Sequence, residues 1–468
     1  MATGLTALWA KQALTPTGWQ HDVLIEIDPA GRIVTVTPKS PARGMRLDLV
    51  LGAPANLHSH AFQRAMAGLS EGRTGAAGAT QKAGATPESF WSWRHLLYRF
   101  LELLRPEDVE AIAAFAQMEM LEAGYGAVAE FHYLHHGIGG TPYDDPAEMC
   151  GRIAAAAKTS GIGLTLLPVL YMQGGCDGRP LAGGQLRFAH DLDGFSRLLE
   201  AAGHKVSTLL PADCRTGAAP HSLRAVSRAA LDHLPEIAPC GPIHIHIAEQ
   251  LAEIAEVTAH LGARPLTWLL NVHEIDARWC LIHATHMTPA ETVGLAESGA
   301  VAGLCPITES NLGDGIFAAT RFLDAGGRIG LGSDSNIRIS LTEEIRTLEY
   351  SQRLRDHSRA ALASPTVSSG RRILTRATAG GAQALGRGSG ALQPGAWADI
   401  LEIDTDHPDL DGLRGDPLLD ALIFARDDRQ VRNVWSAGRH LVRDGRHIRA
   451  PEITGAYRAV VARLRGVL

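Results

Sequence analysis

The chain has 468 residues, 45% of them hydrophobic and 20% charged, with a formal net charge of −6. That composition is ordinary for a soluble globular protein, and the acidic balance offers nucleic acid or an anionic membrane surface no electrostatic hold. The length admits an α/β barrel with an accessory domain as readily as a row of smaller domains.

The opening segment, MATGLTALWAKQALTP, lacks the basic start and apolar core of a signal peptide, and no apolar run approaches the roughly 20 residues of a membrane span. Six cysteines (Cys150, Cys176, Cys214, Cys240, Cys280, Cys305) lie far apart with no C-x-x-C pair, and read as buried thiols in a reducing cytoplasm. Within the first fifty residues, LIEI and RIVTV flank the turn DPAG, which predicts a β-hairpin. Next comes NLHSHAFQ, residues 56–63, after the apolar run LVLGAPA. A lone H-x-H is most often two polar loop residues; on a strand, however, residues two apart share a face, so His58 and His60 could reach one ion. The Gly/Ala-rich residues 72–84 predict a mobile loop over the site, since strand-to-helix loops wall the active sites of barrels.

Residues 106–122 predict a helix, with Pro106 at its start and Gly124 just past its end. Short apolar runs at 127–131, 163–170, 243–247, 280–283, 300–304 and 329–331 alternate with helical stretches. Such alternation argues for a parallel sheet covered on both faces, and about eight units fit a (β/α)8 barrel. A doubly wound sheet would want a Gly-rich nucleotide loop, which is missing. β-rich texture returns at 397–403 and 431–438. The expected fold is therefore α/β: a distorted TIM-type barrel over residues 51–388. A small β-sandwich domain is built from residues 1–50 and 389–468, the latter also carrying a terminal helix.

Barrel enzymes carry their chemistry at the C-terminal ends of the strands. There the sequence places His58 and His60, then His244 and His246 in PIHIHIAEQ, then His283, then Asp334 in GLGSDS. Each alone reads as a hydrogen-bonded loop residue; the succession at strand ends makes a constellation. Three imidazoles and a carboxylate suit Zn²⁺ with one position open to water, although ligand type alone does not separate zinc from iron. Asp334 is placed to take a proton from a metal-acidified water. Glu249 could hand one to a leaving nitrogen, and His283 could polarise the attacked group.

These residues resemble the amidohydrolase superfamily, with H-x-H on strand one, His on strands five and six, Asp on strand eight, and the motif GALQPGAWADI in the flanking β-domain. Many binuclear members bridge two metals with a modified lysine on strand four. Here that strand ends in Ala218-Ala219-Pro220-His221 and Lys205 lies well upstream, which resembles the mononuclear deaminase branch. The H-x-E…P-C-x-x-C signature of cytidine-type deaminases is absent. Over nearly the whole chain, NLHSHAFQRAMAGL, FWSWR, EFHYLHH, APHSLRAV, HIHIAEQ and DRQVRNVWSAGR are similar to members that deiminate a formimino amino acid. That likeness implies one zinc per chain on His58, His60, His246 and Asp334, with Glu249, His283 and Asp334 catalytic. It further implies that Gln63, Tyr133, His221 and Arg224 hold the substrate, with Arg94 beside them. The implied reaction is hydrolysis of N-formimino-L-glutamate to N-formyl-L-glutamate and ammonia in histidine degradation, in a cytoplasmic homodimer. The chain departs from the pattern in a longer Gly/Ala-rich loop, and in Asn336-Ile337-Arg338 where a His-containing stretch is expected.

The chemistry agrees with that substrate. A formimino group is a cationic amidine that a carboxylate such as Glu249 can pair, and two carboxylates at the far end call for guanidinium forks. For Arg94 and Arg224 the plain reading is a structural ion pair; for Tyr133 and His221 it is core packing with the polar tip satisfied. His132, His135, His136, His244 and His286 read as structural or as supports for ligands. The alternative enzyme is a mononuclear deaminase of a guanine-, cytosine- or adenine-type ring, for which a chain only 5% aromatic is poorly equipped. A non-catalytic metal-binding barrel would have lost Glu249 or His283, and both are present.

Overall fold

The computed structural model describes residues 4–69, 71 and 90–466, the side chains of 90–95 excepted. The expected loop at 72–84 and the side chain of Arg94, which belongs to the helix Phe90–Leu101, lie outside the described part.

The barrel is a parallel sheet. In chain order its strands are Ala55–Ser59, Ala127–His132, Gly163–Leu170, a fourth made of Arg215–Thr216 and Ala219–Pro220, then Ile243–Ile247, Trp279–His283, Val301–Leu304 and Arg328–Leu331. Nearly every residue of these strands is buried, as expected where helices cover the outer face and side chains fill the interior. Strand eight pairs with strand one through Leu331 and Asn56, and single bridges (Ala218–Ile243, Ser222–His246) close the ring between strands four and five. The fourth strand is the distorted one. At Gly217, between its two pieces, a Cβ would lie 2.4 Å from the Pro242 carbonyl oxygen, so glycine permits the close approach.

The β-domain is a separate eight-stranded sheet that interleaves the two ends of the chain. Its central joint is Met45–Gly52 antiparallel to Ile400–Ile403, and the expected hairpin forms between Gly18–Ile27 and Ile33–Thr37. It has its own small core, with Leu8, Val23, Ile25, Leu47, Ile400 and Trp435 in contact. The expected helix is present as Pro106–Glu122, and the terminal helix Ala450–Arg465 lies on it, with Phe115 and Tyr457 stacked at 3.9 Å. No helix among the described residues is long and apolar enough to cross a membrane. One expectation needs correcting: of the six unpaired thiols, Cys240 is exposed and Cys176 and Cys214 are only partly covered.

Candidate active site

Strand one presents His58 and His60 on one face, and strand five presents His244 and His246. The two strands do not run to the same depth. His246 meets the first pair at the barrel mouth, whereas His244 lies deeper, its Nε2 bonded to the Ala384 carbonyl at 2.8 Å. His58 Nε2 and His246 Nε2 are 3.0 Å apart, and Asp334 Oδ1 stands 3.6 Å from His58 Nε2 and 3.4 Å from His60 Nε2. A tetrahedral ion with bonds of about 2.0–2.1 Å sets its ligand atoms about 3.3–3.4 Å apart. The four side chains thus stand at ligand spacing.

Tautomers are set from behind. His60 Nδ1–H donates to the Phe131 carbonyl at 3.0 Å and His246 Nδ1–H to the His221 carbonyl at 3.1 Å, so both Nε2 lone pairs face inward. Burial, reinforced by repulsion among neighbouring imidazoles, holds His58 and His246 well below the ordinary range, and burial takes His60 down to about 3. Neutral imidazoles are what a metal needs. Burial pushes the Asp334 carboxyl up to about 7, with His283 opposing and Glu249 and Glu309 adding. A cation beside it would restore the carboxylate. The donor set fits a divalent metal.

Backbone geometry supports the convergence. Gly332, just before the Asp334 turn, has room only for hydrogen, because a Cβ would lie 2.8 Å from His58 Cβ. Asp334 N–H donates to the His58 carbonyl and His60 N–H to the Asp334 carbonyl, both at 2.9 Å.

Two other groups of ligand-type atoms occur among the described residues: His132, His135 and Cys150, and His283, Cys305 and Glu309. In the first, burial raises the Cys150 thiol to about 12 and His135 Nε2 already engages the Val169 carbonyl at 3.0 Å. The second overlaps the site. His283 Nε2 lies 3.8 Å from Glu249 Oε1 and 3.7 Å from Asp334 Oδ2. Burial disfavours its charge, but Glu249, the contact with Glu309 and Asp334 outweigh that and hold the imidazole well above its usual range.

A pocket opens over these groups. Of the expected residues, Gln63, Tyr133, His221, Arg224, Glu249, His60, His246 and Asp334 line it, while His58 and His283 stand behind the wall. Gln63 Nε2 donates to the Tyr133 hydroxyl at 2.7 Å, and its Oε1 is buried with no hydrogen-bond partner among the described residues. Arg224 is half-buried; its Nε also has no hydrogen-bond partner among the described residues, and burial works against its charge while Glu253, Tyr171, Glu249 and Glu256 sustain it. The pocket also takes in Arg179, from the Gly-rich loop after strand three, and Glu256, neither singled out from sequence. A cation in a loop following a barrel strand was the available signal.

The departure at residues 336–338 resolves into structure. Asn336 is buried, with Nδ2 donating to Ser59 Oγ and the Asp334 carbonyl, both at 3.1 Å, so it braces the strand-eight turn. Arg338 pairs with Glu343, and neither residue lines the pocket. Lys205 is likewise spent elsewhere, 2.6 Å from Asp145. His135 and His136 bond backbone carbonyls, as structural histidines do.

Compared with known proteins, residues 50–441 match the profile of the Amidohydrolase family, and residues 5–45 match one described as Formimidoylglutamate deiminase HutF, N-terminal domain. The chain is 48% identical over 459 residues to a formimidoylglutamate deiminase of Pseudomonas aeruginosa, covering 95% of this chain and 96% of that one. A 5-methylthioadenosine/S-adenosylhomocysteine deaminase of Natronomonas pharaonis is 29% identical over 73% of this chain and 72% of its own. The crystal structure of an amidohydrolase from Brucella melitensis superposes with a TM-score of 0.92 at 44% identity, covering 98% of this chain and 99% of its own.

Proposed function

The chain belongs to the amidohydrolase family and is a hydrolase of non-peptide carbon–nitrogen bonds, and from that premise we propose that it hydrolyses N-formimino-L-glutamate to N-formyl-L-glutamate and ammonia, as in histidine degradation. The observation that carries the reading is the convergence at one barrel mouth of four ligand-spaced side chains, an adjoining Glu249–His283 pair, and a pocket that includes Arg224. His58, His60, His246 and Asp334 would hold the metal, for which zinc fits the nitrogen-rich donor set. When bound, the ion acidifies a water and polarises the group under attack.

The residues supply the rest. Asp334 receives the proton of the attacking water. Glu249, on the pocket wall, first pairs the cationic amidine and then delivers a proton to the nitrogen that departs. His283, beside both carboxylates, steadies through its Nε2–H, when the ring carries both protons, the negative charge that develops on the attacked group. Gln63 and Tyr133 are hydrogen-bonded to each other and present a fixed polar edge, so they orient the substrate without reorganising. Arg224, with His221, clamps a carboxylate of the glutamate end, and Arg94 is assigned to the same end from its sequence motif. The cytoplasmic location and homodimeric state belong to the same proposal.

The test is ammonia release across N-formimino-L-glutamate, N-formimino-L-aspartate, adenosine, guanine and cytosine. N-formimino-L-glutamate should be turned over fastest, and N-formimino-L-aspartate slowly because its shorter chain falls short of the clamp. Release from a ring substrate alone would overturn the proposal.

A further inference from the structure

The catalytic constellation draws on strands one, five, six and eight, and strand seven supplies none of it. Strand seven (Val301–Leu304) runs through Cys305 into the short helix Pro306–Leu312, and there Glu309 turns inward and is buried. Its Oε1 lies 3.3 Å from His283 Nδ1 and accepts the Cys305 N–H at 2.9 Å. The opposite edge of the ring, Nε2, faces Glu249 and Asp334. An imidazole has two polar atoms, so whatever fixes one decides what the other presents. The backbone of His283 does not fix the ring by preference, because its φ of +68° is a conformation that side chains disfavour and the surroundings must impose.

We propose that Glu309 is the positioning residue of His283: its carboxylate accepts the Nδ1–H, fixing the ring plane and keeping that proton on Nδ1, so that Nε2 is the atom presented to the reacting group between Glu249 and Asp334. The identity of the reaction rests on the function proposed above; the placement of the proton does not. A merely structural Glu309 would brace the Cys305 turn and leave the ring's proton indifferent to its loss.

The experiment is ring ¹⁵N spectroscopy of the full-length protein labelled at histidine, in metal-free and zinc-loaded forms, with His283 assigned by its loss in His283→Gln. Spectra are read at a pH where the ring is neutral. The wild type should show Nδ1–H, and Glu309→Ala should show Nε2–H or a mixture. In the zinc-loaded enzyme the same change should lower kcat about 10- to 100-fold with KM and metal content little altered. Glu309→Gln keeps an acceptor oxygen and should restore both the Nδ1–H form and most of the rate. If Glu309→Ala does not fold, Glu309→Asp, which withdraws the carboxylate by one methylene, should give the same mixture. An unchanged wild-type tautomer in the folded Ala or Asp variant would overturn the proposal. Absence of turnover on N-formimino-L-glutamate would overturn the substrate reading alone, because the tautomer is read without substrate.

Discussion

Several side chains at the barrel mouth sit on backbone that non-glycine residues avoid. Ala248, His283 and Asp334 have φ of +53°, +68° and +47°. Such conformations cost on the order of 1–3 kcal/mol each and persist only where neighbouring structure over-determines them. Here the Asp334 turn is held by its two backbone bonds to strand one and by Asn336. The turn therefore keeps its geometry without help from the Asp334 side chain, which leaves that carboxylate available for chemistry. Glu249 follows Ala248 directly, and its backbone N–H is held by Glu253 at 3.0 Å. Glu249→Gln preserves size and that backbone anchor but cannot carry a proton. Metal content by elemental analysis should be unchanged, while turnover falls roughly 10²-fold or more. Near-normal turnover would remove Glu249 from the proton path.

Strands and their end residues were legible in the sequence because a buried parallel strand is a short unbroken apolar run; residues 163–170 and 243–247 coincide with Gly163–Leu170 and Ile243–Ile247. The His and Asp residues at the strand ends followed from that. Glu309 and Arg179 did not, because each reaches the site through the path of a short helix or a loop that no periodicity encodes. Nor did the joint between the two sheets. Asp399, in the motif GALQPGAWADI, receives Arg387 in a fork at 2.7 and 2.8 Å; the same guanidinium lies 2.8 Å from Asp213, which Arg439 also grips at 2.7 and 2.8 Å. Arg387, Asp399 and Asp213 are all buried, so removing the arginine leaves the Asp399 charge with only the Ala437 N–H at 2.8 Å and no cation to balance it. Arg387→Met should destabilise by about 3–5 kcal/mol and lower the Tm by several degrees in calorimetry. An unchanged Tm would mean that the sheets are joined by apolar packing alone.

For the molecule as a whole, buried neutral histidines set the acid limit. Burial holds His132 and His244 down to about 4, against about 6.5 in an unfolded chain. Below pH 6.5 the unfolded state takes protons that the folded state refuses, so stability is complete above that pH and is lost as pH falls toward 4. At pH 5 each such group removes on the order of 1–2 kcal/mol. The urea midpoint should fall between pH 7 and pH 5, and less steeply in His132→Leu, which removes one of the buried rings; equal slopes would exclude His132 from the effect. The proposed reaction is defined by which carbon–nitrogen bond breaks. N-formimino-L-glutamate has two around the attacked carbon, and in the proposed reaction Glu249 delivers its proton to the terminal nitrogen while the glutamate end stays clamped. The most direct measurement is product analysis by mass spectrometry after turnover of the zinc-loaded enzyme in ¹⁸O-water. The expected products are N-formyl-L-glutamate carrying one ¹⁸O and one equivalent of ammonia; free glutamate with labelled formamide would overturn the proposed reaction.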